Sequence, residues 1–290
     1  MDYITLGLFF VSILCAAGKN LFSKGISVFN FGTKKFFLSQ FLIFLTGTLV
    51  VILLNGNIFT ELAVETVCYA VIFAILLISA QWFLTVAMSK GNVAICVTVY
   101  SLGFIVPTIT GVIFWNEKLN LLNAIGVILV AVAVVVSAIK KSDNTKKISL
   151  GKYIVPLMIS APAGGIMGVV QKLQQKSAYS NQLPQFVVIS FSIAMLISFI
   201  GFLVAKKDGE KTFSKKLGFA VILGACYGCV NITNTLLAGR LDASVFFPVY
   251  NISNIFVSSL LGILIFKEKI TKREITVFIL TVASILLLNV

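Results

Sequence analysis

Residues 120–139 read NLLNAIGVILVAVAVVVSAI. From Val127 to Val136 every residue is apolar and none alternates with a polar neighbour. A membrane barrel strand alternates apolar and polar residues over about ten positions, so this run is helical, and about 20 residues is the length that lets a helix cross a bilayer. Comparable runs lie on both sides. Breaks at Lys, Gly, Asn and Pro divide the chain into apolar segments at 3–24, 33–54, 66–88, 92–114, 120–139, 152–172, 184–205, 217–237, 243–266 and 272–289. Asn120 stands where an N-cap is needed before the fifth, and Thr271-Lys-Arg-Glu274 forms a capping box before the tenth. The fold class is an all-α membrane protein with ten transmembrane helices.

Composition excludes the other classes. Of 290 residues 59% are apolar and only 11% charged, with a mean hydropathy of +1.05, whereas a soluble domain carries roughly a quarter of its residues as charges. A soluble enzyme, a secreted disulfide scaffold and a disordered chain are therefore ruled out. The five cysteines all lie inside apolar runs, where a free thiol packs as a small hydrophobe. Cys226-Tyr-Gly-Cys229 has redox spacing, but the chain has no His and no carboxylate nearby, so packing is the better reading and no metal or cofactor is expected. Met1-Asp2-Tyr3 lacks the early Lys of a cleaved leader, which makes the first run a retained span.

The net charge of +13 sits between the apolar runs, where it orients a chain in a membrane before it binds any nucleic acid. With the N-terminus placed inside, the inner side is assigned Lys118, the basic residues of 140–152 and 206–216, and Lys267, Lys269, Lys272 and Arg273, which are 15 in all. The outer side is assigned Lys24, Lys34, Lys35, Lys90, Lys172, Lys176 and Arg240. This tally predicts a cell-membrane protein with both termini cytoplasmic.

The longest polar stretch lies near the middle, and the chain shows internal duplication across it. An offset of 150 places Tyr100 on Tyr250 and Gln81 on Asn231. With one residue inserted, Gly111-x5-Glu117-Lys118 falls on Gly262-x5-Glu268-Lys269, and an offset of 148 places Lys24 on Lys172. Five spans separate equivalent positions, so the halves have opposite orientations: two inverted five-helix repeats, 1–139 and 152–290, joined by a cytosolic linker at 140–151. In secondary transporters with this organisation the substrate site lies between the repeats near the midplane.

Two five-span halves, a small residue seven positions before a Lys (Ala17 to Lys24, Gly165 to Lys172), Pro107 ten residues before Glu117, and Gly126 in span 5 together resemble the ten-span drug/metabolite transporter superfamily with its duplicated EamA-type domain. The resemblance implies a central cavity between the halves, alternating access, and export or exchange of small metabolites. The chain departs from that pattern in its second half, where no proline aligns with Pro107 and span 10 has no equivalent of Gly126.

Candidate site residues are the polar groups inside apolar runs. All ten acids fall at span ends or in loops, so the buried carboxylate that proton-coupled exchange requires is missing. Lys19 is the one basic residue placed within a span. It either draws an anionic group into the cavity or extends its stem to the outer interface. Gln81, Trp82, Tyr100, Asn231, Tyr250, Asn251 and Asn254 all count to roughly 9–17 Å from the outer ends of their spans, with Tyr227 at mid-span. Buried amides and hydroxyls need partners, which they find across a cavity or as interhelical bonds. Gly164-x3-Gly168 and Gly224-x3-Gly228 permit close helix approach, and Pro162 can bend span 6. Glu117 and Glu268, each followed by Lys, are gate candidates at cytosolic helix ends.

The best functional reading is a secondary transporter, not an enzyme, that moves a small polar metabolite such as an amino acid or a nucleoside-like compound by alternating access. A passive channel is the second reading, although few polar residues line the inner halves of the proposed cavity spans. A membrane-embedded enzyme comes last, since acid-base and metal chemistry lack their residues. The expected partners are the solute and the bilayer, with no nucleic acid; a homodimer is left open.

Overall fold

The computed structural model describes residues 2–27, 33–56, 62–90, 96, 99–118, 120–138, 151–206 and 214–266, with six single residues between 275 and 287. Every regular element among them is helical. In chain order these are α1 (Tyr3–Ser27), α2 (Thr33–Asn55), α3 (Val64–Lys90), α4 (Ile105–Trp115), α5 (Leu121–Ala138), α6 (Gly151–Lys176), α7 (Leu183–Val204), α8 (Ser214–Arg240) and α9 (Ala243–Phe266). Short 3₁₀ turns at Leu102–Phe104 and Ser180–Gln182 lead into α4 and α7. The first nine expected spans fall on these nine helices. The tenth lies mostly outside the described residues.

Among the described residues five stretches are long and apolar enough to cross a membrane: Tyr3–Ser23, Thr33–Asn55, Val64–Ser89, Ser180–Val204 and Gly218–Arg240. Their outward faces remain apolar, with Phe10 and Leu14 of α1 and Leu196, Ile200 and Leu203 of α7 all more than half exposed. In water such a surface would drive aggregation. In a bilayer it meets acyl chains, and the polar side chains turn inward. The protein is embedded in a membrane.

Helices from the two ends of the chain interleave. α1 packs on α8 and α9, α2 on α7 and α8, α3 on α6 and α7, and α4 on α6 and α9. Aromatic rings fill the core between them, Phe44 against Phe191 at 5.8 Å and Phe73 against Phe186 at 4.9 Å between centroids. Where α2 crosses α8 the backbones themselves touch: a Cβ on Gly228 would stand 2.7 Å from the Gly47 carbonyl oxygen, and one on Gly224 would overlap Thr46 Oγ1 and the Ile43 carbonyl. The Gly224-x3-Gly228 spacing thus works as a close-approach face.

Polar contacts at the helix ends define two faces. Arg240 Nη1, at the end of α8, lies 3.3 Å from Thr5 Oγ1 and 3.9 Å from Asp2, at the start of α1. Ala63 N–H, just before α3, donates to Gln182 Oε1, just before α7, at 3.1 Å. Glu117 follows α4 and pairs with Lys172 near the end of α6. All these ends lie on one side, the amino-terminal face. The opposite, basic face has its own contacts, with Phe22 of α1 against Phe219 of α8 at 5.9 Å and Lys34 of α2 over the Phe202 ring of α7 at 4.8 Å.

These faces correct the charge tally. Lys118 shares its face with Lys172, Lys176 and Arg240, not with the basic segments 140–152 and 206–216, which join helix ends on the other face. Among the described residues the alternation of helices puts Lys24, Lys34, Lys35, Lys90, Lys152, Lys206, Lys215 and Lys216 on the basic face and Lys118, Lys172, Lys176 and Arg240 on the amino-terminal face, with Lys19 between them. The tally failed because Lys118 and Lys140 flank a single span, and a single span puts its two ends on opposite sides.

Candidate functional site

Polar residues meet at mid-depth because helices bring them in from opposite faces. Tyr100 enters from the basic face ahead of α4, and Tyr250 lies two turns into α9 from the amino-terminal face. Both line one cavity with Lys19, Tyr227, Asn231, Asn251 and Asn254. The shared depth expected from one interface is therefore corrected: the residues converge near the middle, counted from two.

The cavity encloses about 80 Å³ that the centre of a water molecule can reach. At roughly 10–15 Å³ of such space per water that is room for about six waters, on the order of 180 Å³ of liquid. The wall on the amino-terminal side is tight, since a Cβ on Gly168 would stand 2.8 Å from the Phe247 ring and 3.3 Å from Pro107. Gly164 likewise lies under Tyr100, whose hydroxyl would be 2.7 Å from an added Cβ. Here the Gly164-x3-Gly168 spacing makes room for side chains of the cavity wall.

Amides and rings divide the lining. Asn231 Nδ2 donates to the Tyr227 carbonyl at 2.8 Å and Asn251 Nδ2 to the Phe247 carbonyl at 2.9 Å, each one turn back in its own helix. Those bonds fix the amide planes, and each amide has a further N–H and an acceptor oxygen beyond them. Asn254 Oδ1 accepts from Asn20 Nδ2 at 3.2 Å, tying α9 to α1. Ser12 Oγ donates to Asn234 Oδ1 at 2.5 Å, and the Tyr250 hydroxyl sits against the same pair.

Lys19 does not extend to the interface. It is only 8% exposed, and its Nζ stands 4.9 Å from the Tyr227 ring centroid and 5.8 Å from that of Tyr100. Taking an ammonium out of water costs several kcal/mol, whereas a ring face returns about 0.5–2 kcal/mol. Two rings do not offset that cost alone. Among the described residues Lys19 has no carboxylate partner.

Gln81 and Trp82 stand outside the cavity lining. Gln81 is buried within α3, with Nε2 3.5 Å from Thr85 Oγ1 of the same helix, and Trp82 packs edge-on against Phe36 and Phe37 of α2. A polar residue inside an apolar run gives depth but not direction around the helix. The lining residues that the sequence reading missed include Asn234, one turn from Asn231, and Gln171. The Asn231-x-x-Asn234 spacing was the available signal.

Beyond the tight wall, Glu117 lies at the amino-terminal face. Helix α4 ends at Asn116 in the left-handed conformation, φ 51°, and the Glu117 N–H donates back to the Gly111 carbonyl at 3.2 Å. Asn tolerates that conformation better than most residues. The turn aims Glu117 at the start of α9, where its Oε1 accepts from Ala243 N–H at 2.9 Å and its Oε2 from Ser244 N–H at 2.8 Å. A carboxylate suits a helix N-terminus, whose first N–H groups lack intrahelical partners. Lys172 Nζ lies 3.0 Å from Oε1 and also donates to the Leu241 carbonyl at 2.6 Å. Burial pushes the Glu117 carboxyl up, but the Ser244 and Ala243 N–H groups and Lys172 outweigh it and hold the group below its ordinary range. Glu268 lies outside the described residues.

Comparison with known proteins agrees with this architecture. A solved crystal structure of a protein superposes with a TM-score of 0.76 at 16% identity, covering 99% of this chain and 96% of that one, a likeness of fold alone. No curated protein matches the chain. The model of the family described as sugar transport protein matches residues 115–290, more than half of the sequence. The chain is a membrane transporter and belongs to the sugar transport protein family.

Proposed function

We propose that the protein is a secondary transporter that carries a small polyhydroxylated solute by alternating access, with the mid-depth cavity as its binding site. The carrying observation is that cavity itself: Lys19 of α1 with tyrosines and asparagines contributed by α8, α9 and the segment before α4. Tyrosine faces stack on the C–H face of a sugar, while amides bond its hydroxyls. Family membership favours a sugar over the amino acid or nucleoside expected from sequence.

Two inverted five-helix repeats of the drug/metabolite type account for the packing. An exchange of span n with span n + 5 converts the α1–α8 contact into the α6–α3 contact, and α2–α7 into itself; all three pairs pack closely. Pairing of this kind follows from a two-fold axis in the membrane plane. The charge distribution supports an orientation with the basic face in the cytoplasm and both termini outside.

Counterflow in proteoliposomes tests the transport reading. Unlabelled sugar on the far side should accelerate uptake of labelled sugar, and an active preparation without that acceleration would be a channel. Orientation is read by labelling single cysteines in a cysteine-free background. Cysteine at Asn181 should react from outside the cell and cysteine at Lys206 only after permeabilisation; the reverse order refutes the orientation.

A further inference from the structure

We propose that the solute carries one carboxylate, as in a hexuronate or another sugar acid, and that Lys19 selects it. This rests on the cavity reading above and deepens it by naming the charge of the substrate. Among the described residues the lining contains one cation and no carboxylate. Lys19 is more than nine-tenths buried and stands over the Tyr227 and Tyr100 rings. The acids at the amino-terminal face do not reach it: Asp2 begins the same helix 17 residues away, roughly 25 Å along the axis, and Glu117 is engaged by Lys172 and two backbone N–H groups.

A neutral hexose in this cavity leaves the ammonium without a counter-charge among the described residues. A hexuronate supplies one, and its carboxylate accepts charge-assisted hydrogen bonds from Nζ while the ring lies on tyrosine and its hydroxyls meet Asn231, Asn251 and Asn254. A single ammonium matches a monoanion. Lys172, the next cation towards the amino-terminal face, is already neutralised by Glu117.

The test measures binding by purified full-length protein to matched pairs that differ only at C6: glucose and glucuronate, galactose and galacturonate, mannose and mannuronate, with acetate as the anion alone. At least one uronate should bind at least tenfold tighter than its hexose, and acetate should compete weakly. Lys19→Met, which keeps the stem against the rings, should abolish that preference, and Lys19→Arg should restore part of it. A wild-type preference for hexoses overturns the inference and leaves the transporter reading standing, and this comparison needs no variant to fold. Acetate binding as strong as that of the uronates also overturns it, because the cation then takes a separate anion. Failure of all three pairs to bind overturns both the inference and the sugar substrate, and counterflow with other solutes then decides the transport reading.

Discussion

Replacing Glu117 by Gln tests how α4, α6 and α9 are joined at the amino-terminal face. The wild-type carboxylate satisfies the Ala243 and Ser244 N–H groups and the Lys172 ammonium together. Glutamine has one acceptor oxygen, so one of the two N–H groups loses its partner and Lys172 keeps only the Leu241 carbonyl. Both side chains of the ion pair are at most 5% exposed, so breaking it leaves a buried charge, at a cost of about 3–5 kcal/mol. For a chain of this size that corresponds to a fall in Tm of roughly 5–10 °C. Thermal unfolding in one detergent should be measured for Glu117→Gln, Lys172→Met and the double variant. Removing both partners also removes the orphaned charge, so the double variant should cost less than the sum of the singles by more than about 1.5 kcal/mol. Additive single effects would refute the pairing. Substrate affinity should fall in Glu117→Gln without vanishing, because the residue lies outside the cavity lining.

The same carboxyl sets an acid limit. Its folded value is held below the ordinary range, so its contribution is fully present above the unfolded value, about 4.3, and is lost as pH falls through the folded one; melting curves should show this loss in wild type and not in Glu117→Gln. Gly228→Ala should cost about 1–3 kcal/mol, read as a lowered Tm, since its Cβ would press on the Gly47 carbonyl oxygen. Asn251→Ala should weaken solute binding several-fold at unchanged Tm, measured by calorimetry, because a lost hydrogen bond costs about 0.5–1.5 kcal/mol. Trp82→Phe should leave affinity unchanged, as the ring packs on Phe36 and Phe37 and not on the cavity.

The spans were legible because a bilayer asks for something that local composition records, a run of apolar residues long enough to cross it. Lys19, Tyr100, Tyr227, Asn231, Tyr250, Asn251 and Asn254 were legible for the same reason in reverse, as polar groups inside such runs. Gln81 looks the same in sequence but bonds within α3, since azimuth depends on which neighbour each helix finds. The Glu117–Lys172 pair was hidden because its members sit 55 positions apart in segments assigned to different sides. That error came from the parity of the spans, since the run 120–139 already sets Lys118 and Lys140 on opposite sides.

The crossing of α2 and α8 has a mechanical meaning. Helices that interlock through bulky side chains resist both separation and turning, because ridges must climb out of grooves. At Gly224 and Gly228 the contact is instead mostly backbone, against Ile43 and Gly47, with the Thr46 side chain beside it and Phe44 on the Tyr227 ring at 6.4 Å. Separating the two rods loses close packing that no larger side chain on these glycines could restore. The contact joins the first half of the chain to the second, so whatever spreads these two helices also shifts one half of the chain against the other.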